Sequence, residues 1–338
     1  MSGSGAENTK REERKEAGCI SRIDSALDGA LVAALAAALA ATLAAGREIL
    51  EVYGKADFGT VEKEDRSPLT EADRRAHDVI ISRLESETPY PVLSEEGADI
   101  PFERRAEWDL FWLVDPLDGT REFLKRNGEF TVNIALVDGR GGTPVAGIVY
   151  VPVADLLYLG IDGGYFSNGG GRDDSGRSQH DGSVQEDAGR HTKAAWRVDL
   201  ASRRGATTLE KIRELGRVLP VAGRDRSFTV VVSRSHNSPE TEEYIAALEK
   251  ERGSGRAERV TTGSSIKLCM VAEGSADVYP RFGPTMEWDT AAADAVCRAA
   301  GCAVVRADRQ GRDEQEREPL SYNKRDLHNP WFVVLRPQ

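Results

Sequence analysis

The sequence predicts an α+β protein, and three observations carry that reading. Residues 21–53 form a long alanine- and leucine-rich stretch with apolar residues at helical spacing. Residues 130–161 hold closely spaced alternating runs with short turns between them, the mark of an antiparallel sheet. From residue 228 onward, strand-like and helix-like runs alternate, which suggests a second, α/β-like lobe. At 338 residues the chain suffices for one large domain or two smaller ones. Hydrophobic residues make up 40% and charged residues 30%, an ordinary globular balance. The net charge of −11 argues against a nucleic-acid polymer or a membrane surface as partner. It leaves room for an anionic small molecule, because bound cations reverse a local field. The four cysteines form no CxxC pair, so reduced thiols in a reducing compartment are expected. The compartment is read as the cytoplasm, with an organelle left open.

Residues 1–20 are polar, carry both charge signs and are read as a disordered tail. They lack an apolar core, and Glu7, Glu12, Glu13, Glu16 and the later Asp24 argue against a transit peptide. In the long helix, Leu27, Leu31, Leu35, Leu39 and Leu43 recur every four residues. Each step drifts by about 40°, so the stripe winds around the helix. The run at 30–45 is 16 residues, mostly alanine, and contains Thr42. A membrane span needs roughly 20 strongly apolar residues, so a packed core helix is expected. A second helix follows Pro68, with Thr70 as N-cap and Ala72, Ala76, Val79, Ile80 and Leu84 as its apolar face. Asp73, in its first turn, suits either the helix dipole or a catalytic role.

Residues 91–97 read as a short strand ending in Glu95, Glu96 and Gly97, either a solvated strand end or part of a site. Phe111 to Val114 is bulky and apolar, so it reads as a buried strand. It runs into Asp115, Pro116, Leu117, Asp118, Gly119 and Thr120. Pro116 removes a backbone donor, so the strand is expected to stop there in a turn. An Asp-Gly pair alone is an ordinary turn former. Two carboxylates followed by a glycine and a hydroxyl also suit a hard cation and an oxyanion. If 121–125 is a helical turn, the amides of Gly119 and Thr120 form a phosphate seat at its start.

Strands follow at 130–136, 145–151 and 156–161, with a turn at Asp138-Gly139. Residues 167–191 are rich in Gly, Ser, Asp and Arg and read as a flexible insertion. A short helix is expected at 209–219, a strand at 228–232 and a helix at 240–250. The loop Thr262-Gly263-Ser264-Ser265 opens a helix that ends near Gly274. A strand at 276–280 precedes Glu287-Trp288-Asp289-Thr290 and a helix over 291–300. Asp289 reads as an N-cap or as a site residue. Strands at 304–305 and 331–335 complete the sheet.

Exclusion narrows the chemistry. No cysteine is followed by arginine six positions later, and no GxxxxGK(S/T) loop is present. An aspartyl-phosphate phosphatase needs Asp two residues before Asp118, where Pro116 stands. The five histidines lack zinc spacing. What remains is Glu95, Asp115, Asp118 and Asp289 at element ends, with Asp73 and Thr120 beside them. Paired Mg²⁺ sites that hydrolyse phosphate esters need about this many carboxylates.

Four segments then make a specific resemblance: LTEAD at 69–73, SEEG at 94–97, DPLDGT at 115–120 and WDTAA at 288–292. Their order resembles the inositol monophosphatase superfamily of lithium-sensitive phosphatases. REFLKRNGEFTVNIAL at 121–136, VSRSH at 232–236 and GSSIKLCMVAEGSADVYPRFGPTMEW at 263–288 are similar to its bacterial-type 3′(2′),5′-bisphosphate nucleotidases. The resemblance runs from about residue 25 to the C-terminus, apart from 167–191, and implies a layered αβαβα sandwich with the site between two lobes. The lobes would be 21–225, carrying most metal ligands, and 226–338, carrying Asp289 and nucleotide contacts. It further implies hydrolysis of 3′-phosphoadenosine 5′-phosphate to AMP, a clearance step in sulfur assimilation. By the same motifs, Glu95, Asp115, the Leu117 carbonyl, Asp118 and Asp289 hold two to three Mg²⁺ ions. Thr120 and Asp73 orient and deprotonate the attacking water, and the amides of Gly119 and Thr120 hold the phosphate. Ser233, His236, Gly263 and Lys267 contact the nucleotide; without the family, Lys267 and His236 read as a solvated helix lysine and a turn residue. Inositol monophosphatase activity and a catalytically silent nucleotide sensor stand as alternatives. The intact water-activating pair counts against the sensor. Oligomeric state stays open.

Overall fold

The computed structural model describes residues 29–59, 61–62, 68–97, 99–167, 193–203, 205–221, 223, 226–234, 238–253, 256–307 and 318–337. The tail expected at 1–20, nearly all of the insertion expected at 167–191, and His236 lie outside them.

Helix α1 (Gly29–Tyr53) packs beside helix α2 (Glu71–Glu87) on one face of a seven-stranded sheet. Leu31, Leu35 and Leu39 are buried, while Leu43 is only half-buried and Ala45, Ile49 and Val52 take over the inner face. That handover is the drift expected of a four-residue repeat on a 3.6-residue helix. By length and composition α1 could cross a membrane, but Leu31, Leu35 and Leu39 are buried in the core shared with the sheet and α2. A side chain at Gly46 would overlap the Tyr150 ring, so the glycine sets how closely α1 lies on the sheet.

The first sheet runs in order β1 to β7: Val92–Ser94, Leu110–Asp118, Thr131–Asp138, Thr143–Val151, Leu156–Asp162, Lys193–Asp199 and Arg217–Val218. Only β1 and β2 are parallel; the rest form an antiparallel meander, as the short turns required. Small helices α3 (Phe102–Arg105), α4 (Thr120–Leu124) and α5 (Leu209–Leu215) sit in its connections. The helix expected at 209–219 thus stops at Leu215, because Arg217 and Val218 pair with β6 as a short strand.

The second sheet holds β8 (Thr229–Ser233), β9 (Glu258–Thr262), β10 (Val278–Arg281), β11 (Ala303–Arg306) and β12 (Phe332–Leu335) in spatial order β9-β8-β10-β12-β11. Helix α6 (Pro239–Arg252) covers its outer face. Helices α7 (Ile266–Glu273) and α8 (Ala291–Ala299) lie between the two sheets.

Strand alternation builds the layers. Trp112 and Val114 face α1 and α2, while Phe111 and Leu113 face α7 and α8. In β8, Val231 faces the same central layer while Val230 and Val232 face α6. Three cores separate five layers, an αβαβα sandwich. Two glycines let α8 lie directly on the first sheet. A Cβ at Gly147 would overlap the Ala292 carbonyl, and one at Gly160 would come 2.5 Å from Val296 Cα. Backbone contact at these points sets the height of α8, and therefore of the turn before it, above strands β4 and β5.

Candidate active site

The site forms where β2 ends. Strand β2 does not stop at Pro116 as expected; it continues to Asp118 through a register shift. Asp115 pairs with Asn133 and Asp118 with Thr131, so Pro116 and Leu117 together oppose Val132. The proline occupies a bulge, where its missing N–H breaks no ladder bond. Asp115 Oδ1 accepts from the Leu117 N–H at 3.0 Å and fixes the bend. On a regular strand, side chains three apart point to opposite faces. The extra residue brings Asp115 and Asp118 to the same side.

Asp115, Asp118 and Asp289 each present a carboxylate oxygen within 4.8 Å of the other two. Asp289 reaches the site from the turn before α8. It is not the N-cap: Thr290 holds that position, and Asp289 Oδ2 instead accepts from the Met286 N–H at 2.8 Å. Glu95 arrives by parallel pairing. Ser94 lies opposite Val114, so Glu95, just past the end of β1, comes beside Asp115 on β2. Among the described residues, the carboxylates here outnumber the cations that act on them, Lys267 and Arg281. Burial holds the Asp115 carboxyl well above the usual range, and Glu95, Asp118, Asp289 and Asp73 add to it. Burial and then Asp118 do the same to Asp289. Asp118 is raised by burial, with Lys267 and the Ser265 N–H opposing.

This donor set fits a hard divalent cation. It is oxygen-only and largely buried, and its like charges repel until a cation joins them. Oxygens around one octahedral Mg²⁺ at about 2.1 Å lie ~3 Å apart as neighbours and ~4.2 Å apart across the ion, so the trio would draw inward to share one ion.

Asp73 and Thr120 meet beside the trio. Asp73 Oδ2 accepts from Thr70 N–H at 2.7 Å and from Thr70 Oγ1 at 2.5 Å, closing a capping box at the start of α2. Its Oδ1 accepts from Thr120 Oγ1 at 3.2 Å. The Leu117 carbonyl lies 3.4 Å from the same hydroxyl. One carboxylate therefore caps the helix with one oxygen and bonds Thr120 with the other. Gly119 takes φ +93° before α4, and a Cβ there would come 3.1 Å from the Glu129 carbonyl and 3.3 Å from Ser264 Cβ. The first intrahelical bond runs from Phe123 N–H to the Gly119 carbonyl, so the amides of Gly119 and Thr120 precede the helix's own bonding.

The second sheet contributes the loop before α7. A Cβ at Gly263 would come 2.7 Å from Glu122 Cγ and 2.8 Å from the Glu129 carbonyl. Only glycine lets this loop close on α4. Ser265, buried, donates its N–H to Asp118 Oδ2 at 2.6 Å and its hydroxyl to Asn133 Oδ1 at 2.8 Å. Lys267 is not a solvated helix lysine. It is buried, donates to the Ser264 carbonyl at 2.6 Å, and lies 5.6 Å from the Tyr279 ring centroid. Burial pushes its ammonium down to about 8, Arg281 adding to the effect and Asp118 opposing it. Ser233, at the end of β8, accepts from Arg281 Nη1 at 3.3 Å.

Three residues here were not singled out from the sequence: Ser264, Ser265 and Arg281. Ser264 has φ +48° and a buried hydroxyl without a hydrogen-bond partner among the described residues. Arg281 is buried, with Nη2 on the Pro284 carbonyl at 2.8 Å and no partner for Nε among the described residues. An unsatisfied buried donor is costly, so such donors beside a carboxylate cluster point to a polar ligand. The only sequence signals were a serine inside a glycine-serine loop and an arginine inside an apolar strand.

Fold and site define a class: a layered αβαβα protein whose carboxylate cluster, between two sheets, could hold a metal ion. The family model for the inositol monophosphatase family matches residues 30–332, and the chain belongs to that family. It is 41% identical over 294 residues to the 3′(2′),5′-bisphosphate nucleotidase CysQ of Escherichia coli K12, covering 86% of this chain and 94% of that protein. The CysQ of Haemophilus influenzae is 32% identical over 300 residues, covering 87% and 89%. The crystal structure of CysQ from Bacteroides thetaiotaomicron superposes with a TM-score of 0.68 at 46% identity, covering 89% of this chain and 96% of that one. SuhB of Bartonella henselae shares the fold at 22% identity and a TM-score of 0.57, covering 90% and 94%.

Proposed function

We propose that this chain is a Mg²⁺-dependent 3′(2′),5′-bisphosphate nucleotidase that converts 3′-phosphoadenosine 5′-phosphate to AMP and phosphate. The observation that carries the reading is the juxtaposition of the trio Asp115, Asp118 and Asp289 with the donors Ser264, Lys267 and Arg281. The trio suits the scissile phosphate. The donors suit the remainder of a polyanionic substrate, and similarity to the CysQ proteins supports the same substrate class.

Glu95, Asp115, the Leu117 carbonyl, Asp118 and Asp289 would hold the two to three Mg²⁺ ions. When bound, Mg²⁺ supplies neutralisation of the phosphoryl oxygens and acidification of a water. The amides of Gly119 and Thr120 orient the phosphate. The Thr120 hydroxyl, bonded to Asp73, takes the proton of the attacking water as its own passes to Asp73 Oδ1. The water oxygen bonds to phosphorus, the bond from phosphorus to the ribose 3′-oxygen breaks, and that oxygen leaves as a hydroxyl on taking up a proton. Ser233, His236, Gly263, Lys267 and Arg281 hold the nucleotide.

Phosphate release in excess Mg²⁺ from 3′-phosphoadenosine 5′-phosphate, inositol 1-phosphate and fructose 1,6-bisphosphate tests the substrate. The nucleotide should give the highest kcat/KM. A preference for inositol 1-phosphate would transfer the site to the monophosphatase reading.

A further inference from the structure

The three carboxylates come from two sheets. Asp115 and Asp118 belong to the first, whereas Asp289 hangs on the turn between β10 and α8. That turn holds itself by Met286 N–H to Asp289 Oδ2, by Asp289 N–H to the Met286 carbonyl at 3.2 Å, and by the Glu287 carbonyl, which accepts from the Thr290 N–H and hydroxyl and the Ala291 N–H. Most of its support comes from residues 321–329. Glu287 N–H reaches the Leu327 carbonyl at 2.9 Å, and Asn329 N–H reaches the Thr285 carbonyl at 2.8 Å. Asn329 Nδ2 donates to the Met286 carbonyl at 2.7 Å and to Thr290 Oγ1 at 3.0 Å.

At the centre is Glu287, two residues before Asp289, with no exposed surface. Its Oε2 accepts from Asn323 N–H at 2.6 Å. Its Oε1 accepts from Lys324 N–H at 3.0 Å and Lys324 Nζ at 2.5 Å. Asn323 takes φ +62°, a conformation asparagine tolerates better than most residues. Its side chain crosses to the first sheet. Nδ2 donates to the Arg105 carbonyl at 2.9 Å and the Gly139 carbonyl at 3.0 Å, and Oδ1 accepts from Arg105 Nη1 at 3.0 Å. Arg105, itself buried, returns both terminal nitrogens to the Lys324 carbonyl at 3.1 Å and holds the Ile100 carbonyl through Nε at 3.0 Å.

We infer that Arg105, Asn323 and Glu287 form an inter-sheet brace of positioning residues that sets the separation of Asp289 from Asp115 and Asp118, and so the affinity of the cation site. The inference rests on those three aspartates being the cation's ligands. The bonds from the Gly139 and Arg105 carbonyls through the Asn323 side chain to Glu287 fix the 323–324 backbone against both the first sheet and the Asp289 turn. The buried Glu287 charge is paired with Lys324 and faces Arg105, so the brace adds no net negative charge beside the trio.

Isothermal calorimetry of Mg²⁺ binding to the whole chain tests it, with Asn323→Gly and Arg105→Lys as variants. Glycine keeps the positive φ and deletes only the side-chain bridge. Lysine keeps the cation and loses the fork. Each should weaken Mg²⁺ binding by about tenfold, the usual scale for a support behind a metal ligand. At saturating Mg²⁺, kcat and the nucleotide KM should return to within about twofold of the native values, because the ligands themselves are intact. Tyr158→Phe removes a different cross-sheet bond, Tyr158 to Glu273 at the far end of α7, and is the control for general destabilisation. It should leave Mg²⁺ binding unchanged. If the native chain binds Mg²⁺ and both brace variants bind it equally well, or if Tyr158→Phe weakens binding as much as they do, the brace is refuted. A native chain that takes up no Mg²⁺ refutes the ligand assignment itself.

Discussion

Asp73 and Thr120, 47 positions apart in the chain, share a hydrogen bond of 3.2 Å from the threonine hydroxyl to Asp73 Oδ1. The other oxygen of Asp73 is spent on the helix cap, so the carboxylate cannot swing away from the hydroxyl without uncapping α2. Preorganisation of this kind is what a general base requires.

Asp73→Asn and Thr120→Ala should therefore each lower kcat by about 10²-fold or more, the scale of a lost general base. Asparagine still offers an oxygen to the cap, so the stability of Asp73→Asn should fall by no more than the ~1 kcal/mol a helix cap contributes. Steady-state kinetics and a thermal melt on both variants decide the matter. Near-native kcat in the pair would remove them from the water-activating role.

Arg281 and Lys267 should separate by substrate. Lys267 feels the charges of Asp118 and Asp289 as well as serving the nucleotide, so Lys267→Ala should lower kcat/KM on inositol 1-phosphate and, more strongly, on 3′-phosphoadenosine 5′-phosphate. Arg281 bonds Ser233, farther into the second sheet, so Arg281→Ala should raise KM for the nucleotide only. A lost charge-assisted contact is worth about 1.5–3 kcal/mol. Equal losses on both substrates in Arg281→Ala would place that guanidinium at the metal centre instead.

The backbone contact between α8 and the first sheet should tolerate no added carbon. Gly160→Ala forces Val296 away from β5, and overpacking of this sort costs about 1–3 kcal/mol. Denaturant unfolding should register that loss. An unchanged midpoint would mean the layers are looser than this packing implies.

Cys269, Cys297 and Cys302 are buried, and burial raises all three thiols, Cys302 to about 12. The thiolate is the reactive form, so native protein at pH 8 should leave these three unalkylated by iodoacetamide, while denatured protein should take the label at each. Rapid native labelling at any of them, read by peptide mass, would contradict the packing of α7 and α8.

Much of this architecture was written in local pattern. The leucine repeat of α1 and the Thr70 cap of α2 speak through neighbours in sequence, and so do the alternating strands from Thr131 to Asp162. The strands that escaped carried a shorter or weaker signal. Lys193–Asp199 alternates only Ala194, Trp196 and Val198 directly after a long polar stretch, and Glu258–Thr262 is an edge strand with a single large apolar residue, Val260. Pro116 misled because a proline ends a regular strand, whereas here the bulge absorbs it. The carboxylates were legible because four of them cluster in short dense segments. Ser264, Ser265 and Arg281 were not, because their roles arise only when the two sheets close. The partnership of Arg105 with Asn323 spans 218 positions, and no local pattern encodes it.

The central claim is that carboxylates from two sheets assemble a cation site on which nucleotide hydrolysis depends. Phosphate release from 3′-phosphoadenosine 5′-phosphate, followed in excess chelator and again after Mg²⁺ is restored, tests it most directly. Turnover should vanish with the chelator and return with Mg²⁺, yielding AMP as the nucleotide product. Full turnover in excess chelator would contradict the account.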